Sequence, residues 1–185
     1  VRFASAVTLG VLLAGLTPRA LARPAEAPKI SVLVITGGHG FERGPFFKMF
    51  SDNASITCVA AEHNTGSASA WDRSDLTNFA AVVLYDMPAA LTDAQKANVL
   101  SLFQRGTGLV ALHHALASFQ AWPDYERIIG GLYPSPPKGQ PAVSEKVGYQ
   151  HDVEGPVSIV DKSHPITAGL QDFGVRDEIY WGCRV

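Results

Sequence analysis

Two cysteines, Cys58 and Cys183, in 185 residues are too few for a disulfide framework. Neither stands in the cationic or C-x-x-C setting that makes a thiolate nucleophile. Cys58 falls in an apolar run and reads as a small buried hydrophobe, and a Cys58–Cys183 bridge is not expected. Positive charge is scarce too. Lys and Arg number 15 against 17 Asp and Glu, a net charge of −2. No basic patch points to nucleic acid or to an anionic membrane surface. G-K-[ST], H-E-x-x-H and C-x-x-C are all missing, which excludes a P-loop and the zinc sites that local spacing makes specific. No apolar run reaches the roughly 20 residues of a bilayer-spanning helix.

Residues 3–16 form a short uncharged apolar stretch behind Arg2, followed by small residues around Ala20, Ala22, Ala25 and Ala27. Charged start, short apolar core and small-x-small site predict a secretory signal peptide with its linker over residues 1–27. The remainder, 28–185, suits one domain. Removing Arg2, Arg19, Arg23 and Glu26 leaves it more acidic. The expectation is an exported protein, periplasmic or extracellular, with no stable membrane span after cleavage. Self-association is left open.

Residues 30–35 (Ile-Ser-Val-Leu-Val-Ile) are nearly continuous in apolar, β-branched character, as in a strand covered on both faces. Residues 79–85 and 109–112 read the same way, and 56–61 reads as a further strand. Between them, residues 45–52 look helical with Pro45 in the first turn. Thr92-x-x-Gln95 is a capping box opening a helix to about Arg105. Residues 115–131 read as helical pieces broken at Trp122-Pro123, residues 132–150 as a surface excursion, and 157–160 as a short strand. Residues 163–169 read as a turn or short helix begun by Ser163, and residues 178–181 as a final extended piece. Strands alternating with helices predict an α/β fold with a mainly parallel sheet flanked by helices. Ligands bind such sheets beyond the carboxyl ends of the strands.

Three constellations fall in suitable places. Gly37-Gly38-His39-Gly40 follows the first strand, and its glycines let a backbone approach a small ligand closely. The dinucleotide pattern fails because Arg43 stands where its third glycine belongs. His113-His114 stands where a strand turns into a helix, the position of a nucleophile elbow, with no Ser or Cys present. Either imidazole is a candidate general base or metal ligand. Asp177-Glu178-Ile179-Tyr180 offers a carboxylate that could hold an imidazole's tautomer, and His164 precedes Pro165 at a turn. If a divalent metal is held, His113 and His151 with an acid are the candidates.

Taken in order, Val32-Leu33-Val34-Ile35-Thr36-Gly37-Gly38-His39-Gly40-Phe41, Gly108-Leu109-Val110-Ala111-Leu112-His113-His114-Ala115, Tyr125-Glu126-Arg127-Ile128-Ile129-Gly130-Gly131, His164-Pro165-Ile166-Thr167 and Asp177-Glu178-Ile179-Tyr180 resemble the ThuA-like, or trehalose-utilisation, family. The resemblance runs from about Lys29 to the last residue. It implies a flavodoxin-like, class I glutamine-amidotransferase-like sheet. Amidotransferases carry a catalytic Cys where this chain has His113-His114, so glutaminase activity is not expected. The resemblance implies disaccharide catabolism, acting on 3-keto sugars made by a partner dehydrogenase. ThuA-like domains continue past the Asp-Glu-x-Tyr segment, which implies a domain incomplete at Val185.

Two functions follow as expectations. The first is an enzyme on a small carbohydrate or keto-sugar derivative. His113 or His114 abstracts the acidic proton beside the carbonyl, Glu178 or Asp86 orients an imidazole, and the backbone of Gly38 to Gly40 stabilises the enolate oxygen. His39 belongs to the same catalytic set. Gly37, Gly38, Gly40, Asp86, Tyr180 and His164 are the candidate substrate contacts. The second is a sugar-binding accessory module, in which Trp71, Trp122, Trp181 and Tyr180 could stack on sugar faces, although most large aromatics are simply core.

Overall fold

The computed structural model describes residues 27–63, 69–88, 90–135 and 146–185. The signal-peptide segment, apart from Ala27, and residues 136–145 of the expected excursion lie outside them. Four strands, β1 (Ile30–Gly37), β2 (Ile56–His63), β3 (Ala81–Asp86) and β4 (Gly108–Ala111), form one sheet in the order β2-β1-β3-β4. All its pairings are parallel. This is the flavodoxin-like strand order, with its topological switch point between β1 and β3.

The apolar run of β1 explains its central place. Leu33 and Ile35 enter one buried cluster with Val82, Leu84, Val99 and Leu102, while Val32 and Val34 enter another with Phe50 and Val83. Period-two alternation thus feeds two cores, one on each face of the sheet. Helix α1 (Arg43–Ser51) covers one face through Phe46, Phe47 and Phe50. It begins two residues earlier than expected, and Pro45 stays in the first turn, where its missing N–H costs nothing. Helix α2 (Asp93–Gln104) covers the other face. Its capping box forms as expected, with Gln95 N–H donating to Thr92 Oγ1 and Thr92 N–H to Gln95 Oε1. Helix α3 (Pro123–Ile129) buries Tyr125. Val99→Ala should lower stability by about 2 kcal/mol, from lost burial plus a residual cavity. Urea titration checks this, and an unchanged midpoint would refute the assignment of Val99 to the core.

The region beyond α3 differs from expectation. Of the short strand expected at 157–160 only Val157 is in a strand, as the last residue of a longer one, β5 (Gly148–Val157), which pairs antiparallel with β6 (Phe173–Trp181), while 158–160 lie outside it. The register shifts between Gln150 and Val153, where Asp152 takes a positive φ of 57°. A bridge between Leu132 and Arg184 ties this arm to the main body. Residues 161–169 form turns, and Asp161, not Ser163, is the capping side chain, accepting from Ser163 N and His164 N. Among the described residues no helix is long and apolar enough to cross a membrane.

Candidate active site

The switch point fixes where to look. Gly37, the last residue of β1, pairs with His63 on one side and Asp86 on the other. Its φ is +131°, and a Cβ there would lie 2.4 Å from the His63 carbonyl oxygen. Gly38 has φ +83°, and its Cβ would lie 2.6 Å from the Met87 carbonyl oxygen. Only glycine fits both positions, so the loop is pressed onto the ends of β2 and β3. This delivers His39 over the third strand. Its Nε2 lies 3.2 Å from the Tyr85 carbonyl and its Nδ1 3.2 Å from the Gly40 carbonyl. Carbonyls only accept, so a neutral ring donates to one of them. A side chain at Gly40 would meet nothing within 4 Å, leaving open space beside the backbone.

Beyond β4 the chain makes a 3-10 turn, His113–Ala117, that begins with His113 at φ +49°. The left-handed conformation costs energy in a residue with a Cβ and marks a backbone held by its surroundings. Two anchors hold this turn: Tyr125 Oη donates to the Ala115 carbonyl at 2.8 Å, and Tyr133 N–H donates to Leu116 O at 2.8 Å. Successive side chains of a strand point to opposite faces. The turn instead brings the His113 and His114 rings to 3.9 Å between centroids, with His39 at 4.4 Å from His114 and 6.1 Å from His113. Burial, together with the neighbouring imidazoles, pushes His114 down to about 4, with Glu178 opposing. Burial lowers His113 as well, against the pull of Glu178. Both rings are therefore neutral at pH 7 and present lone pairs.

The third contribution comes from the β5–β6 arm. Glu178 Oε2 lies 3.5 Å from His113 Nε2, and Oε1 lies 3.3 Å from His151 Nδ1. Tyr180 Oη donates to Glu178 Oε2 at 2.7 Å. Burial and the adjacent carboxylate raise the Tyr180 phenol far above its ordinary value, which keeps it a donor. A cleft of about 250 Å³ opens here, with His114, His151, Glu178 and Tyr180 in its wall and Tyr133 and Tyr149 beside them. Of the histidine pair, His114 faces this cleft. His113 lies against Tyr85, with the rings 6.0 Å apart and near parallel, and against Glu178.

Other expected residues lie elsewhere. Asp86, expected as a substrate contact or as the orienter of His113 or His114, is fully buried. Its Oδ2 lies 2.9 Å from Nε2 of His63, itself 4% exposed, so its imidazole partner is one the sequence reading gave no role. The pair meets across Gly37, which puts no side chain between them. Burial raises the Asp86 carboxyl, and His63 partly offsets this. His164 is exposed on the 161–169 turn, its Nδ1 accepting from Ile166 N–H at 3.2 Å. Trp71 is a core residue at 1% exposure, Trp122 packs on Phe119 and Tyr125, and Trp181 packs against Gly148. The aromatic rings that reach the cleft are tyrosines. Both cysteines are free.

The sequence model of a family described as "ThuA: Trehalose utilisation" matches residues 31–185. No curated protein matches the chain. Two crystal structures share its fold. A ThuA-like protein from Parabacteroides merdae ATCC 43184 is 20% identical, with a TM-score of 0.67 over 84% of this chain and 64% of that one. A ThuA-like protein from Bacteroides uniformis ATCC 8492 is 19% identical, with a TM-score of 0.59 over 86% of this chain and 64% of that one. This chain thus spans a little under two thirds of either protein.

Proposed function

The chain belongs to the ThuA, trehalose-utilisation family, and from that premise we propose that it is an exported enzyme of disaccharide catabolism acting on a keto-sugar derivative. One observation carries this reading: His114 from the end of β4 and His151 and Glu178 from the separate arm line one cleft, with His39 from the end of β1 packed against His114. A glycoside oxidised to a ketone has an acidic proton on the carbon beside its carbonyl. Glu178 Oε1 faces His151 Nδ1 at 3.3 Å; with the imidazole proton on that nitrogen, His151 Nε2 offers the lone pair that takes the substrate proton. The sugar lies against Tyr133, Tyr149 and Tyr180, and the carbonyl oxygen sits at the His114 end beside His39. Charge that develops on that oxygen meets polar groups already in place. The electron pair of the broken C–H bond then either expels the glycosidic oxygen, which leaves with a proton, or is reprotonated on the other face. The first route is elimination, the second epimerisation. Metal-assisted polarisation of the carbonyl is compatible with the same donor set.

A non-catalytic sugar-binding module is the second reading, favoured by the tyrosine cluster: the Tyr133 and Tyr180 centroids are 5.0 Å apart, and those of Tyr149 and Tyr180 5.9 Å. Incubating the purified chain with 3-keto-disaccharides, with product analysis and a parallel binding titration, separates the two. Turnover supports the enzyme. Binding without turnover establishes the module, and the absence of both would refute a carbohydrate role for the cleft. N-terminal sequencing of the protein recovered outside the cytoplasm tests export, with cleavage expected close to residue 27.

A further inference from the structure

We propose that His113, His114 and Glu178 bind one divalent transition-metal ion of the zinc class, at the cleft on which the proposed activity rests. One donor atom from each residue lies within 4.8 Å of the other two. Ligand bonds of about 2.0–2.2 Å in a tetrahedron place donor atoms roughly 3.3 Å apart. His113 Nε2 and Glu178 Oε2 are 3.5 Å apart, which is long for a hydrogen bond and close to that edge.

The backbone accounts for the convergence. In an extended strand the His113 and His114 rings would diverge. The positive φ of His113 turns both into one space, and the anchors at Ala115 and Leu116 hold that turn. Glu178 arrives from β6, opposite the register shift in β5, so the donors stand on two separate elements. The Glu178 carboxylate is itself oriented: Tyr180 Oη donates to Oε2 and His151 Nδ1 faces Oε1, the outer-shell arrangement that fixes a ligating carboxylate. His114 Nδ1 is shut from water and has no hydrogen-bond partner among the described residues. Coordination at that nitrogen would satisfy it.

Two imidazole nitrogens and one carboxylate oxygen, with no thiolate, at tetrahedral spacing suit zinc better than calcium or magnesium. Three protein ligands leave one position open toward the cleft, where a substrate oxygen can bind. His114 takes the place that the sequence expectation gave to His151. His151 stays on the other carboxylate oxygen, free to handle a proton.

The test is zinc binding by the purified chain after chelator treatment, read by calorimetry and elemental analysis, with cobalt(II) absorption as the geometric probe. One equivalent of zinc and an intense tetrahedral cobalt spectrum are expected. His113→Ala, His114→Ala and Glu178→Gln should each weaken zinc at least about tenfold. His164→Ala, on its exposed turn, should bind as the parent does. Substoichiometric zinc, an octahedral cobalt spectrum, or equal affinity in all three site variants would overturn the site. If an alanine variant fails to fold, Glu178→Gln and the parent's cobalt spectrum still decide. Turnover of a keto sugar by metal-free, chelator-insensitive protein would remove the metal and leave the activity. Stoichiometric zinc without keto-sugar turnover would do the reverse.

Discussion

Glu178→Gln should lower kcat on a keto-disaccharide by roughly a hundredfold to ten-thousandfold, the range for loss of effective acid–base catalysis. The substitution is nearly isosteric, and the Tyr180 hydroxyl can still donate to the amide oxygen, so folding should survive. The charge is what disappears. It faces His151 through one oxygen and His113 through the other, and it opposes the depression of both His113 and His114. Without it the His151 ring is free to turn, and its lone pair no longer stays on the cleft side. Residues that act as a unit are strongly non-additive. Glu178→Gln combined with His151→Ala should therefore be little worse than the poorer single variant. KM should change far less than kcat, because the tyrosines that would hold the sugar are untouched. A kcat within about threefold of the parent would sink the assignment of Glu178 as the hub.

The parts of this arrangement that could be read in sequence are those set by local rules. The apolar run of β1 declares a strand covered on both faces, and Thr92 with Gln95 declares a helix start. The His113-His114 turn declares itself by standing at the end of an apolar strand, although β4 is a partly exposed edge strand rather than a buried one. The β5–β6 arm does not. Its first strand, Gly-Tyr-Gln-His-Asp-Val-Glu-Gly-Pro-Val, carries glycine, proline and charge, and both its faces are largely exposed. No apolar alternation could mark it, and its partner lies beyond a long turn region. Glu178 was visible as a carboxylate, yet only the pairing of β5 with β6 puts His151 and Tyr180 beside it and sets it against His113. The tryptophans stay ambiguous in sequence for a related reason. A large aromatic looks alike in sequence whether it fills a core, as Trp71 does, or faces a ligand. His63 and Asp86 are legible as a pair only once the strand order is known, since each belongs to a different strand and the residue between them belongs to a third.

That pair sets the second large effect, in stability. Asp86→Ala should cost about 3–5 kcal/mol at pH 7, because it leaves His63 buried with its partner gone. His63→Leu should be costly for the mirror reason. The double variant, His63→Leu with Asp86→Ala, removes both polar groups and should recover a coupling energy of about 1–3 kcal/mol relative to the sum of the single changes. Simple additivity in urea titrations would show that the pair does not act as one unit. The pH dependence has a definite sign. Burial holds the Asp86 carboxyl above its ordinary value, so over a window starting near pH 4 the folded chain keeps a proton that the unfolded chain has lost. The stability this group contributes is fully present below that window and is lost as pH rises through the raised value. Asp86→Asn has no such proton to lose. The stability gap between the asparagine variant and the parent should therefore move in favour of asparagine as pH climbs from about 4 toward 7. Movement the other way would mean that His63, rather than burial, dominates the carboxyl. In either case the pair lies directly beneath Gly37, so the same variants report how firmly the His39 loop is seated on its strand.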